Sequence, residues 1–169
     1  FRFVYLSRRK HDRRRKTNVF YQDDGNRSCD SVIMTDKELM RAANEARKFA
    51  YAPYSSFKVG AALLTESGKL YTGCNIENSS YTPTVCAERV AVFKAVSDGE
   101  RNFVKIAIVG GKGDKPLDFC APCGVCRQVL AEFCDESFVI LLGNEENFSS
   151  YGINEILPFS FTKKDLNKI

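Results

Sequence analysis

The chain is expected to fold as an α/β protein, a three-layer α/β/α sandwich around a mixed sheet of about five strands. Three observations lead there. Segments with helical periodicity alternate with short apolar runs, in the order helix, two strands, helix, strand, helix, strand. The runs at 103–109 and 138–142 are short and nearly continuous, as in strands covered on both faces. At 169 residues, 44% of them hydrophobic, the chain has the size of one domain with a full core.

In order along the chain, residues 1–31 read as an extension and 32–169 as the folded domain. The extension carries RRKHDRRRK at 8–16 and then a polar stretch at 22–31. Residues 1–30 hold nine Lys and Arg against four Asp and Glu, and the rest of the chain sixteen against seventeen, so the formal net charge of +4 belongs to the extension. Its composition is that of a solvated, disordered segment. The sharper alternative is a nuclear-targeting or nucleic-acid-binding arm, although no aromatic interleaves the arginines.

Thr35 and Glu38 form a capping-box pattern, and Leu39, Ala43, Ala46 and Ala50 recur at helical spacing, so a first helix is expected to end near Tyr51, before Pro53. Strands follow at 57–64 and 70–76, joined by a turn at Ser67 and Gly68. The small residues Gly60, Ala61 and Ala62 imply close approach of a helix or a ligand. A second helix is expected over 86–97, burying Val90, Phe93 and Ala87 or Val96. After the strand at 103–109, Gly110 to Gly113 read as a plain loop that lacks the Walker spacing. Pro122 suits the start of a third helix running to about Cys134, followed by the strand at 138–142. Residues 148–157 form a fifth strand or an irregular segment, and 163–167 a short helix.

No apolar run approaches the ~20 residues of a membrane span, and residues 1–7, interrupted by Arg2, are too short for a signal segment. Seven cysteines, three of them at metal-ligand spacing, favour reduced thiols and a metal over a disulfide framework, and hence a reducing intracellular setting.

The chemistry lies in TVCAER at 84–89 and APCGVCRQ at 121–128. Cys123 and Cys126, three apart, share a helix face, and Cys86 can add a third thiolate. Zinc takes thiolates readily, and three protein ligands leave the fourth tetrahedral position for water, with Glu88 as its natural proton carrier. On a regular helix a two-residue offset turns side chains by about 200°, so Cys86 and Glu88 share a site only at the helix start. Helix N-termini also favour thiolates. Arg89 and Arg127 stand beside the ligand blocks, where a guanidinium could offset the charge of three sulfurs; a surface salt bridge is the plainer role for Arg89. A closed four-cysteine site using Cys120 or Cys74, or buried thiols without metal, are the alternatives, and Cys29 and Cys134 have no evident partner. Asn75 and Glu77, two apart at a strand end, point to one side and could grip adjacent hydroxyls, or are simply a polar strand end.

CAERVAVFKAV at 86–96 and PCGVCRQVL at 122–130 resemble the two signature blocks of the small, homotetrameric, zinc-dependent cytidine deaminases. The resemblance runs from about residue 33 to the C-terminus. It implies Zn2+ held by Cys86, Cys123 and Cys126, Glu88 as the catalytic acid/base, and Arg89 bonded to sulfur. It further implies Asn75 and Glu77 as a ribose clamp, Tyr81 and Phe57 lining the pocket, and the backbone of Ala87 on the ring carbonyl. In ILPFSF at 156–161, Phe161 would enter a neighbouring subunit's pocket; the plainer alternative is an apolar tail packed on its own domain. The implied activity is hydrolytic deamination of cytidine and 2′-deoxycytidine in pyrimidine salvage. A cytoplasmic homotetramer with shared active sites would carry it out on a free nucleoside, with no membrane partner; the basic run leaves a nuclear location open. Three alternatives stand beside it: a blasticidin-S-type deaminase of the same fold, a structural zinc protein, and a nucleic-acid-binding or RNA-editing protein using the arginine arm. The near-neutral body argues against the last.

Overall fold

The computed structural model describes residues 34–166 except Asp118; the extension expected over 1–31, with Cys29, lies outside the described residues. Helix α1 (Asp36–Arg47) begins as its capping box dictates. The Glu38 N–H donates to the Thr35 hydroxyl at 3.3 Å, and the Thr35 N–H donates to the Glu38 carboxylate at 2.8 Å. It ends a turn earlier than its alanine spacing suggests. Beyond it the Tyr51 N–H donates to the Asn75 carbonyl, and Tyr51 bridges to Ile76.

The sheet is five-stranded and mixed, in the order β2-β1-β3-β4-β5. Strand β1 (Phe57–Thr65) runs antiparallel to both β2 (Leu70–Cys74) and β3 (Phe103–Lys112). Strand β3 is parallel to β4 (Val139–Gly143), and β5 (Phe148–Gly152) returns antiparallel to β4. Parallel neighbours need a crossover, and α3 (Gly124–Phe133) supplies it between β3 and β4. Helix α2 (Ala87–Ser97) connects β2 to β3.

The two-residue period of the strands separates the layers. Ala62, Ala107, Val109 and Leu141 pack with Leu39, Met40 and Ala43 of α1. Their neighbours Ala61, Leu63, Ile106, Ile108, Ile140 and Leu142 pack with Ala87, Ala91 and Val92 of α2 and Leu130 of α3. The expected three-layer sandwich therefore holds, with both cysteine-bearing helices on one face.

Gly60 answers what approaches β1: a Cβ there would be driven into the Ala43 carbonyl and the Arg47 amide, 2.9 Å from Arg47 Cα. All of these are α1 backbone atoms, which cannot swing aside. Gly60→Ala is expected to cost about 3 kcal/mol or more and to lower Tm by roughly 6–12 °C, read by thermal denaturation. A loss under about 1 kcal/mol would mean that α1 lifts off freely.

Four expectations change. The buried face of α2 is Ala87, Glu88, Ala91, Val92 and Ala95, while Phe93 is 47% exposed. Helix α2 lies directly on β2 at Gly73, where a Cβ would come within 2.7 Å of the Ala91 amide, and the small residues Ala87 and Ala91 stand at that contact. Gly110 and Gly111 belong to β3 rather than to a loop, paired with Val59 and Lys58. Their missing side chains make room for Cys120 and for the backbone at 115–117. Helix α3 starts after Cys123, so Pro122 precedes its cap. After β5 the chain forms a short helix α4 (Ile153–Ile156), and α5 (Lys163–Leu166) closes the described chain.

Candidate metal centre

Both cysteine blocks are helix starts. An antiparallel bridge between Ile76 and Val85 delivers the chain to Cys86, the N-cap of α2. Cys123 is the N-cap of α3, and Cys126 is that helix's third residue. Neither cap side chain accepts from a backbone N–H of its helix, so both sulfurs stay available where helix N–H groups concentrate positive partial charge.

The Cys86 and Cys123 sulfurs are 3.7 Å apart and those of Cys123 and Cys126 3.5 Å, with all three within 4.8 Å of one another. A tetrahedral zinc with bonds of ~2.3 Å would hold its sulfurs ~3.8 Å apart. The trio therefore fits such an ion, and all three thiols are free. Among the described residues it is the one group of three or more metal-binding side chains this close, and neither Cys120 nor Cys74 joins it. Cys120 instead packs beside Gly110 and Phe57. Burial pushes its thiol up to about 11, and the charges of Glu88 and Cys86 add to that.

The sulfurs share their protons unequally. A hydrogen bond from Cys126 brings the Cys86 thiol down to about 5 against the opposing effect of burial, with Arg89 and Cys123 assisting. Cys126 moves the other way, raised by the same hydrogen bond and by burial. Glu88, 4% exposed, is the second residue of α2. Burial raises its carboxyl to about 7; its own backbone N–H opposes the shift and the Cys86 charge adds to it. A buried carboxylate balanced near neutrality beside three sulfurs is suited to accepting and returning a proton.

Arg89 donates to the Thr84 carbonyl at 3.0 Å and stands 3.9 Å from the Cys86 sulfur, so its guanidinium turns inward rather than into a surface salt bridge. Its Nε is buried without a hydrogen-bond partner. Arg127 does not reach sulfur. It donates to the carbonyls of Pro122 and Ile156, both at 2.8 Å, and ties the start of α3 to the end of α4.

Asn75 accepts from the Val59 N–H at 2.7 Å and donates to the Phe57 carbonyl at 2.8 Å, lacing the end of β2 to β1. Glu77 accepts from the Tyr54 N–H at 2.8 Å, the Ser55 N–H at 3.2 Å and the Ser55 hydroxyl. The bond from that hydroxyl, then those from the two amides, hold its carboxyl below the usual range. Phe57 is half-buried, with its ring beside Gly110. Tyr81 is 74% exposed in a left-handed conformation (φ 57°), its ring 6.2 Å from that of Tyr54. Tyr54, Ser55, Glu77, Tyr81 and Thr84 line an open cavity of about 340 Å³. Ala87, the first residue of α2, is fully buried.

Phe161 is held only at its backbone, where its carbonyl accepts from Gln128 at 2.8 Å. Phe161 is 62% exposed and Phe159 wholly so, whereas Ile156 and Leu157 of the same tail pack on the core of their own domain. Ser55 escaped the sequence reading. Its only local signal was a serine two residues before Phe57, the spacing of a side-chain turn.

Residues 33–142 match the family described as "Cytidine and deoxycytidylate deaminase zinc-binding region". A cytidine deaminase of Sporosarcina psychrophila is 48% identical over 135 residues, covering 79% of this chain and 96% of that protein. The crystal structure of a cytidine deaminase from Burkholderia pseudomallei superposes with a TM-score of 0.70 at 44% identity, covering 76% of this chain and all of that one. A blasticidin-S deaminase of Bacillus cereus is 29% identical over 137 residues, covering 79% of this chain and 96% of that protein.

Proposed function

Since the chain belongs to the cytidine deaminase family, we propose that it hydrolyses cytidine and 2′-deoxycytidine to uridine and 2′-deoxyuridine with release of ammonia. The observation that carries this reading is a buried Glu88 beside three sulfurs spaced for one metal ion, two of them from one helix and the third from another. Zinc is the ion this donor set suits, and when bound it supplies Lewis acidity that makes a water more acidic.

Glu88 takes a proton from the attacking water and passes it to the ring nitrogen beside the amine-bearing carbon. The water's oxygen adds to that carbon as a hydroxyl, and Glu88 then takes the hydroxyl's remaining proton and delivers it to the amine, which departs as ammonia as the carbonyl forms. Arg89 places positive charge against the Cys86 sulfur and so moderates the anionic character of three thiolates. The backbone of Ala87 is assigned to the ring carbonyl, Phe57 and Tyr81 to the pocket wall, and Asn75 and Glu77 to the sugar. The exposed Phe161 is assigned to a neighbouring subunit's pocket in a homotetramer.

Residues 32–169 would form the catalytic domain and 1–31 an appended extension. The setting would be cytoplasmic pyrimidine salvage; among the described residues no helix is long and apolar enough to cross a membrane.

Metal-replete protein is expected to change the absorbance of cytidine as uridine forms, and a chelator to stop it. Absence of turnover with both cytidine and deoxycytidine overturns the reading. Turnover of blasticidin S far above that of cytidine would transfer it to the antibiotic.

A further inference from the structure

The Ser55 hydroxyl joins two of the side chains assigned to the substrate. It donates to Oε1 of Glu77 and accepts from the Phe57 N–H at 3.0 Å. The backbone N–H groups of Tyr54 and Ser55 both go to the other oxygen, Oε2. A carboxylate's terminal torsion is broad and carries little preference of its own. The two amides on Oε2 restrict that torsion, and the Ser55 hydroxyl, donating to Oε1, completes the restraint from the other side. The direction of the hydroxyl proton is also determined, since an ionised carboxylate can only accept and the proton must point to Glu77.

An ionised carboxylate offers about four lone-pair positions. Three are engaged here, and the remaining one lies on Oε1, the oxygen Ser55 holds. Ser55 and Glu77 also line the same open cavity. Between Ser55 and Phe57, Ser56 takes a left-handed backbone (φ 57°), strained for a residue with a Cβ and held by the bonds on either side.

We propose that Ser55 is a positioning residue for sugar recognition: it fixes the Glu77 carboxylate so that Oε1 presents its last acceptor position to a ribose hydroxyl. The inference rests on the reading of the chain as a nucleoside deaminase and on the sugar-binding role of Glu77. Ser55 itself touches neither the reacting carbon nor the metal ligands, so its loss acts on binding rather than on the proton transfers.

The test compares kcat and KM of the wild type, Ser55→Ala and Ser55→Thr on cytidine and on 2′,3′-dideoxycytidine, which lacks both ring hydroxyls. Ser55→Ala is expected to raise KM for cytidine ~10-fold with kcat within about twofold, and to leave KM for the dideoxy substrate unchanged. Ser55→Thr, which keeps the hydroxyl, restores the cytidine value. Ser55→Gly removes the same hydroxyl with no Cβ and must show the same split, which keeps the test open should the alanine variant fold poorly. An equal KM rise on both substrates, or none on either, overturns the assignment. A wild-type enzyme inert toward cytidine overturns the functional reading instead, so the two failures are separable.

Discussion

Glu88→Gln is expected to abolish nearly all turnover while leaving the metal in place, and at the same time to stabilise the metal-free fold above neutral pH. The first effect follows from the chemistry. A positioned acid/base contributes ~10²–10⁴-fold, and glutamine, isosteric with glutamate, can neither take a proton from water nor return it. The second follows from burial. The carboxyl of Glu88 is raised from 4.5 to about 7 in the folded protein, chiefly by desolvation. A raised folded-state value means that the protonated form suits the fold. The group costs nothing below about pH 4.5, and the penalty grows as pH rises through 7. The full penalty, reached above pH 7, is about 3 kcal/mol. In the metal-free protein, Glu88→Gln should therefore unfold later in denaturant than wild type at pH 8, with the two nearly equal at pH 4. Metal content, turnover and denaturant midpoints at the two pH values check all three parts. Wild-type turnover in this variant would remove Glu88 from the mechanism.

That the most damaging change to activity should also relieve the fold reflects how α2 is built. Its buried face is otherwise alanine and valine, pressed on β2 at Gly73, and Glu88 is the charged residue set among them. Helical periodicity found only part of this face: Ala87 is fully buried and Val96 packs against the core, as expected, whereas Phe93 is not buried. The large apolar residues Val90 and Phe93 define the most obvious stripe, yet α2 meets Gly73 through the backbone of Ala87 and Ala91, and Phe93 stands partly outward. The sulfur trio was legible because C-x-x-C places two sulfurs near each other locally and C-x-E sets the third sulfur two residues before a carboxylate. The layering was legible because strands β1, β3 and β4 bury both faces and so appear as near-continuous apolar runs. What depended on long-range contacts was not legible. Ser55 meets Glu77 across 22 positions of sequence, and Arg127 reaches the Ile156 carbonyl across 29. The end of β3 at Gly110 and Gly111 was hidden because glycine carries no hydrophobic signal, although Cys120 needs that space.

Cys126→Ala is expected to lose the metal and reduce turnover to background, whereas Cys120→Ala keeps the metal and leaves turnover within a few-fold of wild type. The two cysteines are only six positions apart, Cys126 buried and Cys120 half-buried, and neither fact says which one joins the sulfur cluster. Position does. The Cys126 sulfur lies 3.5 Å from that of Cys123 within the trio, while Cys120 stands outside it, against Gly110 and Phe57. Removing a ligand should cost more than the 10–100-fold in metal affinity that follows loss of a group merely supporting one. Shortening Cys120 removes one sulfur's worth of packing and no donor. Metal stoichiometry by elemental analysis, with far-UV circular dichroism to confirm the fold, separates the cases. Loss of metal from Cys120→Ala to the same degree as from Cys126→Ala would mean that four sulfurs enclose the ion. Water would then have no coordination position, and Glu88 no water to deprotonate. The proposed hydrolysis therefore requires these two variants to behave differently.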